Sequence, residues 1–380
     1  MLVMTPGPTM ISKNVRNAMG RKNTNTDLDM DFFEEYKMTC DMLNELVNSK
    51  KSYPIIMMGE ALLGLEAACA SIIEPKDKVL VIENGVFGEG FKDFVSMYGG
   101  EPVIFSSDRE RGINVEKLKV FLKENTGFKA ATLVHCETPS GITNPIEEIC
   151  PILREAGIIS IVDAVSSLGG ENINMDESKI DILLGGSQKC LSLSSGLTIV
   201  YLSEVARQYL KNRKTPVASY YGNLQNFIDW DKSKSFPYTM GDSLIYGLKQ
   251  SLEDIKKEGN IISKHRDYAS RVRSTLREAG FELYPKSQFS NTVTSIRLPQ
   301  NLKFEILFEK TKEKGLMLGG GLGFLQGQIF RIGHMGNNIE EENLEKTFRI
   351  LQESIEEEGH ILNIDMEAYF QNTKSEETPN

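Results

Sequence analysis

The run DILLGGSQKC (181–190) carries an apolar, strand-like segment into two glycines and then a lone lysine, Lys189. A cation is poorly placed where a buried strand ends, because its ammonium loses hydration there. One resolution is a lysine that snorkels out of a loop. The other is an amine of lowered basicity, ready to form a Schiff base with an aldehyde. Twenty-six residues earlier, IISIVDAV (158–165) brings another apolar run to an acid, Asp163. A carboxylate at a buried strand end is costly unless a cation meets it, and a protonated pyridine nitrogen is such a cation. An aldehyde cofactor of the pyridoxal phosphate type needs four things. They are an amine, an anion opposite the ring nitrogen, a flat apolar wall and donors for the phosphate.

Other strand ends supply candidates for the remaining parts. Phe87 would cover one ring face, Thr138 and Gln188 would hydrogen-bond ring substituents, and Ser187 would reach the phosphate. Lys189 would also serve as the general base that moves a proton between substrate carbon and cofactor. Each residue has a plainer reading. Asp163 is a possible helix cap and Phe87 a possible core residue. His135 reads as a packed strand-end histidine without a catalytic role, and Cys190 as structural.

The elements that must hold these residues are legible as short β-branched runs near 55, 80, 103, 134, 161, 183 and 200, separated by helical patterns. Runs without a polar face belong to strands buried on both sides, so the pattern predicts a mostly parallel seven-stranded α/β sheet flanked by helices. Ligands in such folds bind beyond the carboxyl ends of the strands, where the candidates collect. In TNPIEEICPILREAG (143–157), Asn144 reads as an N-cap, Pro145 as the first helical residue and Gly157 as the residue past the end. Beyond 240 the character changes to long helices over 240–258 and 259–279, weak strands, and a last helix near 338–358. That is the pattern of a smaller α+β domain.

Composition narrows the class. With 380 residues the chain can bury a sizeable core, and its net charge of −10 disfavours nucleic acid and anionic membranes as partners. No run of about 20 apolar residues predicts a membrane span. The N-terminus lacks a secretion signal's pattern, and the five scattered cysteines suit a reducing cytoplasm better than a disulfide or metal framework.

The motifs TPGPT (5–9), HCETPSG (135–141), VDAVSSLGG (162–170), GGSQKC (185–190), FPYT (236–239) and FRIGHMG (330–336) stand in an order that resembles class V aminotransferases of fold type I. The general neighbourhood of the resemblance is the alanine–glyoxylate and serine–pyruvate aminotransferase group. It implies a transaminase for a small amino acid and a 2-oxo acid, pyruvate or glyoxylate, acting as a homodimer with shared sites. It also implies that Arg331 clamps the substrate carboxylate, that Gly7 lines the substrate mouth, and that Val165 contacts the cofactor. Thr239 would reach the phosphate bound in the partner subunit. The expected division is a large cofactor-binding domain (20–255), a small domain (1–19 with 256–365) and a polar tail (366–380).

One stretch departs from the pattern. The group usually begins its phosphate-cupping helix with small residues, whereas MGEALLGLEAA (58–68) puts Glu60 there, followed by Ala61 and Leu62. This stretch, with TPSG and RIGHMG, also resembles pyridoxamine–pyruvate aminotransferase, for which the unphosphorylated vitamer is a substrate. Either Glu60 replaces the phosphate, or it turns away and the amides of residues 60–62 bind the phosphate. The retained Ser187-Gln188 pair favours the second arrangement. Met240 and Leu322 are candidates for shaping the substrate pocket. A cysteine desulfurase reading lacks a cysteine after Cys190, and GGGLG (319–323) lacks the strand–helix context of a dinucleotide site.

Overall fold

The computed structural model describes residues 1–373. Its centre is a seven-stranded sheet built from β1 (Tyr53–Met58), β2 (Lys78–Glu83), β3 (Glu101–Ser106), β4 (Ala130–Val134), β5 (Ile159–Asp163), β6 (Ile182–Gly186) and β7 (Leu197–Leu202). The order across the sheet is β1-β7-β6-β5-β4-β2-β3, and only β7 runs antiparallel to its neighbours. β4, β5 and β6 are buried along their whole length, as their unbroken apolar runs require. Because β5 and β6 are parallel neighbours, Asp163 pairs with Leu184 and the chain reaches Lys189 just past the same sheet edge. Helices Leu62–Ile72 and Val86–Met97 begin at that edge, after β1 and β2.

A second apolar core lies in the C-terminal part, around a three-stranded sheet of Thr294–Arg297, Ile329–Ile332 and Gly319–Gly320. Helices Ile261–Glu278, Phe304–Glu313 and Glu341–Glu356 supply much of it. The first residues join it, since Leu2–Val3 pairs in parallel with Leu316–Met317.

Three boundaries differ from expectation. Residues 1–19 are divided: Leu2 and Met4 enter the small core, but Val15 packs into the large one. Its helix, Lys13–Met19, lies on Asp242–Glu258 with Val15 as its buried residue. The expected tail at 366–380 opens with a helix, Met366–Asn372, capped by Asp365 and buried through Met366 and Phe370. Those two residues sit four apart on one helix face, which a polar composition hides; residues 374–380 of that tail lie outside the described residues. The third is local. Helix Ile146–Glu155 starts after Pro145, and the Asn144 side chain instead binds Asn84, the Ile113 amide and the Val134 carbonyl.

Candidate functional site

Lys189 leaves β6 through Ser187-Gln188 and is held by the N-terminal segment. Its Nζ donates to the Pro6 carbonyl, while Thr9 donates its amide to the Gln188 carbonyl (3.1 Å) and its hydroxyl to the Lys189 carbonyl (2.8 Å). Gly7, at φ +82°, lies directly on the lysine stem: a β-carbon there would stand 2.4 Å from Lys189 Cδ. Only glycine suits both the left-handed backbone and that approach. Burial lowers the basicity of Lys189, and the Arg331 charge adds to the effect. The amine is therefore easier to free of its proton than an exposed lysine.

Asp163 ends β5 with its carboxylate buried. Val165 donates its amide to Asp163 Oδ1 (2.8 Å), and the His135 amide donates to the Asp163 carbonyl (2.7 Å). Burial pushes the Asp163 acid up to about 6, with no cation in direct contact among the described residues. Thr138 follows the next strand, its hydroxyl paired with that of Ser166. Phe87 lies in the first turn of Val86–Met97, half-buried against the large core. His135 is buried and neutral, its ring lowered to about 4 by burial. Cys190 is buried behind Lys189, its thiol on the Ser166 carbonyl.

Arg331 arrives from the second core, on strand Ile329–Ile332 of the three-stranded sheet. Its Nε donates to the Gly320 carbonyl (2.7 Å) and its Nη1 to the Thr138 carbonyl (3.4 Å). Among the described residues no carboxylate pairs with it, and burial lowers it to about 10. The GGGLG run thus serves as the support of an arginine rather than as a nucleotide loop.

At the helix start after β1 the outcome differs from expectation. The Glu60 side chain does not turn away: Oε2 accepts the Leu62 amide (2.9 Å) and Oε1 accepts Gln188 Nε2. An unfilled helix N-terminus attracts the nearest carboxylate, and the Gln188 amide holds it from the opposite side. Ala61 is buried behind it, while Leu62 is 53% exposed. Ser187 is not brought to this cup. Its hydroxyl is wholly buried, donating to the Ser194 carbonyl (2.7 Å) and accepting the Leu197 amide (3.2 Å), because the 187–197 turn needs both bonds to close onto β7. Thr239 lies on the surface, donating to Asp27 (2.8 Å). Gln188 Oε1 is buried without a partner, an acceptor left for a ligand hydroxyl or amide.

Residues 6–300 match the family model described as aminotransferase class-V. The chain belongs to this family. It is 34% identical to an uncharacterized aminotransferase of Methanocaldococcus jannaschii over 88% of each chain. It is 31% identical to the pyridoxamine–pyruvate transaminase of Mesorhizobium japonicum, over 88% of this chain and 86% of that one. Among solved structures, the ureidoglycine–glyoxylate aminotransferase of Bacillus subtilis superposes with a TM-score of 0.94 at 26% identity, over 98% of this chain and 97% of its own. The pyridoxamine–pyruvate aminotransferase of Mesorhizobium loti gives 0.93 at 29%, over 99% and 98%.

Class V aminotransferases are enzymes that depend on pyridoxal phosphate. The donor set of this member fits the ring of that cofactor: a less basic amine, a buried acid with no cation in direct contact and, among the described residues, an unpartnered acceptor at Gln188. Three contributors were missed from the residues alone. Pro6 holds the amine, Ser166 holds Thr138, and Glu137 binds the amides of Phe87 (2.9 Å) and Gly88 (3.0 Å). Only Glu137 left a signal, as an acid inside an otherwise buried motif, HCETPSG.

Proposed function

We propose that this class V aminotransferase moves an amino group between a small amino acid, alanine- or serine-like, and a 2-oxo acid such as pyruvate or glyoxylate. The supporting observation is Arg331, a buried guanidinium without a carboxylate partner among the described residues and close enough to Lys189 to depress its basicity. Such a group is a receptor for a planar ligand carboxylate, taken by two parallel hydrogen bonds. The bound cofactor supplies an aldehyde for amine exchange and a ring that accepts electron density. Lys189 would hold the cofactor through its amine, and its Nζ, of lowered basicity, would serve as the base for the substrate α-proton. Asp163, aligned by the Val165 amide, keeps the ring nitrogen protonated. Phe87 forms one wall, Thr138 and Gln188 meet ring substituents, and Gly7 leaves the mouth open beside the lysine.

The test is direct. The purified protein is titrated with pyridoxal phosphate and with pyridoxal, and each loaded form is mixed with alanine, serine, pyruvate and glyoxylate. Exchange of the visible band with small amino acids and its return with a small oxo acid support the reading. A band indifferent to all four overturns it.

A second reading has its own observation. With Glu60 seated on the helix N-terminus, a phosphate there would meet a carboxylate, whereas the free hydroxymethyl group of pyridoxamine would meet an acceptor. A relative of 31% identity is a pyridoxamine–pyruvate transaminase. Pyruvate-dependent conversion of free pyridoxamine into pyridoxal is the assay that selects this reading.

The proposal includes a cytoplasmic homodimer. Thr26 and Asp27 bond to Met240 and Thr239, and Tyr220 to the Pro237 carbonyl. Leu28, next to Asp27 in the chain, is 79% exposed; Tyr220, bonded to Pro237, and Tyr221, stacked on Tyr238, are exposed too. A cluster of exposed apolar side chains marks an interaction surface, and it would carry Thr239 toward a partner's site. The five free, buried cysteines suit a reducing compartment. Among the described residues no helix is long and apolar enough to cross a membrane.

A further inference from the structure

Helix Val86–Met97 begins without a side-chain cap of its own. Its N-cap is Gly85, in an extended conformation and with no side chain to accept an orphan amide. Nor is there room for one, since a β-carbon at Gly85 would stand 2.3 Å from Glu137 Cγ. The position a local cap would occupy is filled by a residue from some fifty positions later in the chain. Glu137 accepts the Phe87 amide on Oε1 (2.9 Å) and the Gly88 amide on Oε2 (3.0 Å), so both carboxylate oxygens are used and both bonds lie at the positive end of the helix.

The carboxylate is wholly buried, which is an expensive way to close a helix start. What it gains is connection. Glu137 lies in a four-residue strap, 135–138, whose other members touch the rest of the site. His135 binds the Asp163 carbonyl, Thr138 pairs with Ser166, and the Thr138 carbonyl takes Arg331. Through Glu137 the strap also sets the height and rotation of the helix turn bearing Phe87. Burial pushes the Glu137 acid up to about 7, and the facing carboxylates of Asp163 and Glu83 act in the same direction. The Glu83 Oε2 atom is itself buried without a partner.

We propose that Glu137 is a positioning residue of the aminotransferase site, fixing the Phe87 ring as the cofactor's wall by binding the first free amides of its helix. The proposal rests on the reading of Phe87 as that wall, and its test separates the two. Glu137→Gln retains size and one acceptor but turns an NH2 group toward a backbone N–H. At pH 8.5, in the protein without cofactor, hydrogen exchange at the Phe87 and Gly88 amides is expected to quicken roughly tenfold, the scale of one lost charge-assisted bond. On loading with pyridoxal phosphate, the same variant is expected to show a diminished visible circular-dichroism band. The KM for pyruvate should stay near its original value, because Arg331 is untouched. Phe87→Leu should reproduce the optical change without the exchange change, and the double variant should be no worse optically than Phe87→Leu alone.

Unchanged exchange in Glu137→Gln, or optical effects that add in the double variant, would overturn the proposal. Were Phe87 not the wall, Phe87→Leu would leave the band intact while the exchange result stood, and that outcome refutes the underlying reading instead. If Glu137→Gln does not fold, the unaltered protein still decides. Its Phe87 and Gly88 amides must exchange as slowly as those of the helix interior, and exchange at the rate of an open helix end refutes the cap.

Discussion

The two ends of the site are built on opposite principles. At the ring end, the groups that matter are left with unused capacity. Among the described residues, Asp163 is a buried acid with no cation in direct contact, Arg331 is a buried guanidinium with no carboxylate partner, and Lys189 rests on a backbone carbonyl. At the cup end the carboxylate is already engaged: Glu60 accepts the Leu62 amide on one oxygen and the Gln188 side-chain amide on the other. Capacity held open in a buried place destabilises the empty protein and is recovered when a ligand arrives. The difference teaches that the ring end is specified by the chemistry it performs. The cup end is specified by a competition between the protein's carboxylate and the ligand's substituent.

The largest effect should come from removing the open acid. Asp163→Asn keeps the shape and the Val165 contact but loses the ionic partner of the ring nitrogen. Turnover should fall by roughly a hundred- to a thousandfold, the range for one preorganised electrostatic group. Near-normal turnover would make Asp163 a structural residue and erase the contrast. Next in size is Arg331→Lys, which cannot form the planar fork. The KM of both amino acid and oxo acid should rise by about ten- to a hundredfold, with kcat changed less. An unchanged KM for pyruvate would move the carboxylate receptor elsewhere.

The stability of the empty protein gives a third measure. Asp163, raised from an ordinary 3.8 to about 6, binds more protons folded than unfolded between those values. The fold therefore loses stability as pH rises through that window, by an amount on the order of 2–3 kcal/mol, and Glu137 adds in the same direction up to about 7. A cationic ring nitrogen removes the Asp163 share. The gain in Tm on cofactor binding should consequently widen from pH 5 to pH 7 and should not widen in Asp163→Asn. Calorimetric melts with and without cofactor at the two pH values check this. The smallest effect belongs to the cup. Glu60→Ser should tighten pyridoxal phosphate relative to pyridoxal by several-fold, since one carboxylate at a solvated helix start contributes roughly 1 kcal/mol. A ratio of affinities that does not move would mean the Glu60 carboxylate swings aside at no cost.

The same division separates what was readable from the chain. β5 and β6 announced themselves because strands buried on both faces need unbroken apolar runs, and Asp163 and Lys189 stand where those runs stop. Glu60 was recognisable as a misfit, but not its position, because the bond to Gln188 joins residues more than a hundred positions apart. Ser187 misled because its motif suggested a ligand while its turn geometry demanded the hydroxyl. Glu137 was invisible as a cap because helix starts are read from adjacent residues, and here the cap is tertiary. Met366 and Phe370 were lost for a composition reason, two apolar residues in a polar terminal stretch.

Every role proposed for the site depends on Lys189 being the amine that holds the cofactor. The measurement is borohydride reduction of the protein loaded with pyridoxal phosphate, followed by peptide mass analysis, with Lys189→Ala as the control. The predicted result is a single adduct on the peptide carrying Lys189, absent from the folded Lys189→Ala protein. An adduct on a different lysine, or one that persists in Lys189→Ala, would contradict it.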